Sequence, residues 1–308
     1  MSAETVVAAV AQLLGGIALA PLLPGLVQHW KARLQGRRGP TPLQPYRELR
    51  RLWGKSTVSP EGTSVLYRLA PSVAGAALIA AVLVVPAAAA APSFGIGHDA
   101  LLLLGLLALA RFAVVIAAWD AGSGFSLIGA SRDLTLSVFV EATLVLALAV
   151  AALVAGTTDL VGVVAATAGT EVWTSPALAL GALAFALVAV AEMGRQPVDS
   201  PDTHLELTMI HKGPLLEYAG RDLAYLQWAA AARHWLVLVL AAQIFLPHPQ
   251  EVWLQLALLP LVLTLLCAAL ALVETLVAKM RILLVPRLLA AGTIAALLGI
   301  ASWLVSSS

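Results

Sequence analysis

The chain has one cysteine, Cys267, in 308 residues, which excludes a disulfide within the chain. It also excludes an iron–sulfur cluster held by this chain, because such a cluster takes about four ligands, usually thiolates. Any redox centre must then belong to a partner. Charge is scarce too: 11% of residues are charged and 60% are hydrophobic, whereas a soluble domain carries roughly a quarter charged residues. That balance excludes an ordinary soluble domain, and no nucleic-acid partner is expected. No Rossmann or P-loop glycine motif stands between a strand and a helix, and the glycines are scattered through apolar runs, where they serve close packing. His204 and His211, seven residues apart with no thiolate nearby, do not make a metal site.

What the sequence does have is apolar length. Eight runs are long enough to cross about 30 Å of hydrocarbon at 1.5 Å per residue. They cover approximately 4–28, 65–90, 99–119, 134–156, 176–193, 223–246, 252–274 and 283–304. The expected fold is therefore an all-α integral membrane protein, a single membrane domain over 1–308. Its basic loops follow the odd-numbered spans, and the loops 91–98, 157–175 and 247–251 contain no Lys or Arg. Cations collect on the cytoplasmic side, so both termini are expected outside. The first run carries Glu4 before it and its cations after it, opposite to a cleaved signal peptide, and is expected to remain as a span.

Residues 30–64 form a basic cytoplasmic segment. Within it, Pro42 to Lys55 spells a short amphipathic helix with Leu43, Tyr46, Leu49 and Trp53 on one side and Arg47, Arg50 and Arg51 largely on the other. Such a helix is expected in the headgroup layer, held by anionic lipid.

Arg111 and Glu141 fall well inside apolar spans. Arg111 lies eight residues before Trp119, and Glu141 lies eight residues after Asp133, which places each about 12 Å deep. An unpaired charge there costs on the order of 2.5–3.5 kcal/mol, so the two are expected to face each other or share a wet path. The alternative is that Arg111 snorkels and Glu141 packs in its protonated form.

The segment 192–222 is unusually rich in titratable groups for a loop in this chain. It carries Glu192, Asp199, Asp202, Glu206, Glu217 and Asp222 among Arg195, His204, His211, Lys212 and Arg221. Such density beside a bilayer points to ion or proton handling, or to docking of a partner. Carboxylates partly desolvated near one another have coupled pKa values and can pass a proton. An ordinary ion-paired loop, with the acids bound to Arg195, Arg221 or Lys212, is the alternative for any single acid.

The pattern AEMGRQPVDSPDTHLEL followed by LLEYAG resembles the signature loop of the subunit 1 (H subunit) family of respiratory complex I. The likeness is nearer to its hydrogenase branch, the membrane anchor subunits of formate hydrogenlyase and hydrogenase-4-type complexes. GRRGPTPLQPYRELRRLWGK, YRLAP, GASRDLTLSVFVE and ETLVAKMRILLVP extend the resemblance over nearly the whole chain. It implies a non-redox subunit of a membrane-bound oxidoreductase complex in the bacterial inner membrane, anchoring a soluble arm and linking its redox chemistry to proton or sodium movement. The implied partners are a hydrogenase-like large subunit, an iron–sulfur small subunit and antiporter-like membrane subunits, with iron–sulfur and nickel–iron centres in those partners and none here.

By the same resemblance Glu141, Glu192, Glu206, Glu217 and Asp199 match the family's proton-conducting acids. Arg132 and Arg195 match the arginines that orient or neutralise them; Arg111, singled out by its depth in the span, and His204 are expected as further charge partners. The amphipathic helix would frame the entrance to a chamber between the two arms. His204 stands where complex I relatives show an acid, and the stretch before Glu217 is about three residues longer, which puts a quinone pocket of the complex I kind in doubt. A complex I-like quinone-chamber subunit remains an alternative. So do a secondary transporter, for which no paired broken helices are visible, and a purely structural anchor, which has no need of Arg111 or Glu141.

Overall fold

The computed structural model describes residues 3–89, 97–169, 174–200 and 209–307. Among them are eleven α-helices: α1 (Ala3–Leu13), α2 (Leu22–Leu34), α3 (Gln44–Trp53), α4 (Val65–Val84), α5 (Ala100–Ala121), α6 (Gly124–Ala155), α7 (Leu160–Ala166), α8 (Pro176–Glu192), α9 (Gly220–Ile244), α10 (Val252–Leu276) and α11 (Val285–Ser307). Six helices are long and apolar enough to cross a membrane, the pair either side of residue 20 makes a seventh, broken span, and α8 is a shorter apolar helix of 17 residues. Helix ends follow local chemistry. The Asp99 carboxylate accepts hydrogen bonds from the amides of Leu101 and Leu102 at the start of α5. Gly122 and Gly156 end α5 and α6 in the left-handed conformation that only glycine adopts cheaply.

α4 packs against α5 and α9, α6 packs with α8 and α11, and α10 packs against α2. Large buried side chains such as Trp235, Tyr67 and Phe185 fill the contacts. α10 is the least enclosed span, with 22% of its apolar window buried, so most of its surface is left for lipid or another protein of the membrane.

Three expectations from the sequence need correction. The first span, expected unbroken over 4–28, passes through a π-helical stretch at Leu14–Leu19 and bends by 58° before α2. Pro21 and Pro24 supply no amide to the ladder, and side chains take up carbonyls in the break: Trp228 Nε1 donates to Ile17 O at 2.9 Å and Tyr46 Oη to Ala18 O at 2.6 Å. Span two, expected to run helically to residue 90, is helical only to Val84. Val85 to Ala88 continue unwound and wholly buried. That is tolerable in apolar surroundings because glutamines satisfy the freed backbone. Gln12 Nε2 donates to Val82 O (2.6 Å) and Leu83 O (2.9 Å), Gln243 donates to Ala87 O, and Gln255 Oε1 accepts from the amide of Ala89 at 3.0 Å. Span four begins at Gly124 rather than 134, so Arg132 and Asp133 lie inside α6.

α3 forms where expected but is turned about its axis. Leu52 is its buried residue, while Trp53 and Leu43 are about half exposed. Packing against α9 decides this: the stripe Pro45, Leu49, Leu52 faces inward at helical spacing, leaving Arg47, Arg50 and Arg51 exposed and Tyr46 at the edge. Trp53 still meets Tyr225 edge-on at 5.0 Å.

Candidate functional site

The loop after α8 is folded by its own charges and by glycine. It turns at Gly194 (φ +61°), where a Cβ would lie 3.0 Å from the His211 ring, and passes through a cis Gln196–Pro197 bond. Asp199 is its buried centre. Its Oδ2 accepts the amides of Ile210 (3.3 Å) and His211 (3.1 Å), and its Oδ1 accepts the amide of Ser200 (2.8 Å) and Lys279 Nζ (3.1 Å). His211 Nδ1 lies 3.3 Å from the same carboxylate. Burial pushes the Asp199 carboxyl up, but the bonds and charge from His211 and the nearby Lys279 outweigh it and hold it at about 2.

His211 also faces inward. Its Nε2 is 3.8 Å from Asp133 Oδ1, and Asp133 is 3.9 Å from Arg111 Nε. Arg111 is the hub: Nη1 donates to Glu141 Oε1 at 3.0 Å and Nη2 to Glu192 Oε2. On the far side of Glu192 stands Arg233, with Nε 3.6 Å from Glu192 Oε1. That separation is too long for a hydrogen bond, and neither atom has such a partner among the described residues. A cavity of ≈ 100 Å³ opens between these groups, lined by Arg111, Asp133, Glu192, His211 and Arg233 against alanine and leucine walls. Its size and polar lining suit a few ordered waters. Asp199, His211, Asp133, Arg111 and then Glu141 or Glu192 thus form one contiguous series of polar groups from the loop into the helices.

Charge balance gives this series its chemistry. Asp133, Glu141 and Glu192 carry three formal negative charges and Arg111 and Arg233 two positive ones, leaving one negative charge that a single added proton cancels. The side chain of Glu192 is 1% exposed, whereas that of Glu141 is 40% exposed on the outer face of α6. One acid is sealed at the hub and the other opens outward.

A second buried group lies apart. Glu274 at the end of α10 is clasped by Lys31 Nζ (3.1 Å, to Oε2) from α2 and by Arg195 Nη1 (3.2 Å, to Oε1) from the loop. Among the described residues, Arg195 therefore pairs with an acid of α10 and not with one of its own loop. Glu217 is half-buried at the foot of α9, where its backbone carbonyl accepts a hydrogen bond from Tyr67 Oη at 2.8 Å. Arg132 is half-buried on α6, next to Asp133. Glu206 and His204 lie outside the described residues. Arg47, Arg50 and Arg51 are exposed on α3, Arg51 bonded to Glu48 at 3.0 Å through Nε. Among the described residues, no group of three metal-ligating side chains is gathered.

Arg233, Asp133, Glu274, Lys31 and Lys279 are the members that the sequence did not single out. Arg233 was findable by the rule that picks Arg111, since it stands inside an apolar span. The pairing of Glu274 with Lys31, 243 positions away, leaves no local signal.

Fold and site define a multi-pass membrane protein with a buried cluster of charged groups around a water-sized cavity. Residues 6–305 match the NADH dehydrogenase (NADHdh) family, and the chain belongs to that family. It is 36% identical over 285 residues to formate hydrogenlyase subunit 4 of Escherichia coli K12, covering 89% of this chain and 91% of that one. It is 35% identical over 264 residues to hydrogenase-4 component C of the same organism, covering 85% and 82%. A subunit of the NADH-quinone oxidoreductase of Rhodopseudomonas palustris is 30% identical over 196 residues, 61% of this chain and 59% of that one. A chain in the solved structure of the archaeal membrane-bound sulfane sulfur reductase, a respiratory membrane complex, shares the fold at a TM-score of 0.82 with 23% identity, covering 97% of this chain and 99% of that one.

Proposed function

We propose that this chain is the membrane anchor and ion-coupling subunit of an oxidoreductase complex of the hydrogenase-4 and formate hydrogenlyase kind. The observation that carries this is the series Asp199, His211, Asp133, Arg111, Glu192 and Glu141, continuous from a loop able to face a soluble arm to an outward acid on α6. Redox change in the arm alters the field at the loop. The hub then takes up a proton at Glu192 or Asp133, the same proton moves to Glu141 as Arg111 shifts its pairing back to the ionised inner acid, and Glu141 passes it to an antiporter-like membrane subunit against α6. Whether proton or sodium crosses in that neighbour is set there. Arg195 and Lys31 hold Glu274 fixed.

In this reading the loop and α3 face the cytoplasm and both termini lie outside, because the cations concentrate on the loop side. The metal centres belong to the partners, a hydrogenase-like large subunit and an iron–sulfur small subunit, since one cysteine cannot ligate a cluster. The test is affinity purification of the tagged chain from native membranes in mild detergent, with mass spectrometry of what accompanies it. A large subunit with paired CxxC motifs and an iron–sulfur subunit is the expected result. A large subunit lacking those cysteines moves the reading to a quinone-reactive complex, and recovery of the chain alone contradicts it.

A further inference from the structure

The end of the first span carries a feature that the relay does not use. α2 stops in a glycine-based C-cap: Gly36, at φ +70°, donates its amide to Arg33 O (3.0 Å), and Arg37 donates its amide to Ala32 O (2.9 Å). This reversal folds the chain back on the helix. Gly39 fits against Ala32, where a Cβ would collide with the Ala32 methyl, and His29 Nδ1 meets Pro40 O at 2.8 Å. The result is a groove of ≈ 470 Å³ lined by His29, Arg33, Gly36, Arg37, Arg38 and Gly39, with no carboxylate in its wall.

Arg33 and Arg38 have no ion-pair partner among the described residues, and Arg37 bonds the amide oxygen of Gln35. The half charge at the end of α2 is negative and opposes an anion, but the C-cap bonds cover two of its carbonyls and three guanidiniums outnumber it. Guanidinium pairs match phosphate oxygens in geometry as well as charge. The groove sits where a spanning segment ends, and Leu34 and Leu43 are about half exposed nearby in the chain. That places it at the level of headgroups, with apolar surface available for acyl chains.

We propose that this groove is a phosphate-binding site, filled by the headgroup of an anionic phospholipid. The proposal does not depend on the coupling role of the buried relay. It is tested with the full chain in its native complex, reconstituted in phosphatidylcholine nanodiscs with or without phosphatidylglycerol, and retained lipid is read by native mass spectrometry. The double substitution Arg37→Gln/Arg38→Gln is expected to weaken phosphatidylglycerol retention about thirtyfold, with each lost cation worth about fivefold near a charged surface. Arg37→Lys/Arg38→Lys keeps most of it, and Arg281→Gln/Arg287→Gln, which removes two cations outside the groove, leaves it unchanged. A parallel arm adds millimolar inorganic phosphate in neutral detergent and follows the unfolding midpoint. A rise that the double Gln variant abolishes, without phosphatidylglycerol preference, keeps the phosphate site and assigns it to the free ion. Equal retention in wild type and double Gln variant, equal losses in the two Gln variants, or loss only of a co-purifying protein overturns the proposal.

Discussion

Arg111 stands between Glu141 and Glu192, with Nη1 3.0 Å from Glu141 Oε1 and Nη2 bonded to Glu192 Oε2. Its removal leaves Asp133, Glu141 and Glu192 facing one another with Arg233 alone to balance them. Breaking a buried pair in this way costs about 3–5 kcal/mol. Arg111→Met should therefore lower the unfolding midpoint in detergent and reduce assembly. A midpoint within error of wild type would show that the hub is not electrostatically tight.

Lys31 and Glu274 hold the broken first span against α10. Because Arg195 still binds the carboxylate when Lys31 is lost, Lys31→Met should cost less than a fully orphaned charge, about 3 kcal/mol at most. Glu274→Gln removes the one carboxylate that both cations bind and should cost more. Chemical unfolding of both variants in the same detergent checks the order.

Asp199 gives the loop a pH dependence of definite sign. Its folded carboxyl titrates at about 2 against an ordinary 3.8, so the stabilisation is fully present above the ordinary value and is lost as pH falls through about 2. The shift corresponds to about 2 kcal/mol. Asp199→Asn removes that contribution, so the stability gap between wild type and variant should be constant above about pH 5 and shrink on acidification. Amide exchange of residues 209–212 as a function of pH measures it, and a gap that widens with acid would reverse the sign.

Gly129 on α6 and Gly213 touch backbone to backbone. A Cβ on Gly129 would lie 2.6 Å from Gly213 Cα, and one on Gly213 would lie 2.7 Å from Gly129 Cα. Neither side can yield by rotating a side chain. Gly129→Ala should displace the turn that carries His211, costing about 1–3 kcal/mol by overpacking and loosening the contact of His211 with Asp133. The unfolding midpoint and coupled turnover should both fall, with helical content unchanged by circular dichroism.

Sequence and structure agree most where the physics is local. Long apolar runs show the spans because hydrocarbon thickness sets their length, and Arg111 and Glu141 stand out because charges in such runs are costly. The bend after Leu19, the unwound stretch beyond Val84 and the turned face of α3 depend on distant partners: Tyr46 and Trp228 for the first, Gln12, Gln243 and Gln255 for the second, and α9 for the third. The same limit applies to the site. The density of acids in 192–222 is visible in the sequence, but which acid comes to lie beside Lys279, Arg233 or Arg195 is decided by packing across 40 to 80 residues.

The central claim is that Glu192 at the hub carries the coupling. The direct measurement is ion translocation per electron by the reconstituted complex bearing Glu192→Gln, with Glu217→Gln alongside. The account predicts an intact set of partner proteins and retained dye-linked redox activity for both. It also predicts translocation reduced at least about tenfold for Glu192→Gln, equivalent to about 1.4 kcal/mol or more, and a smaller loss for Glu217→Gln. Undiminished translocation in an assembled Glu192→Gln complex would contradict it.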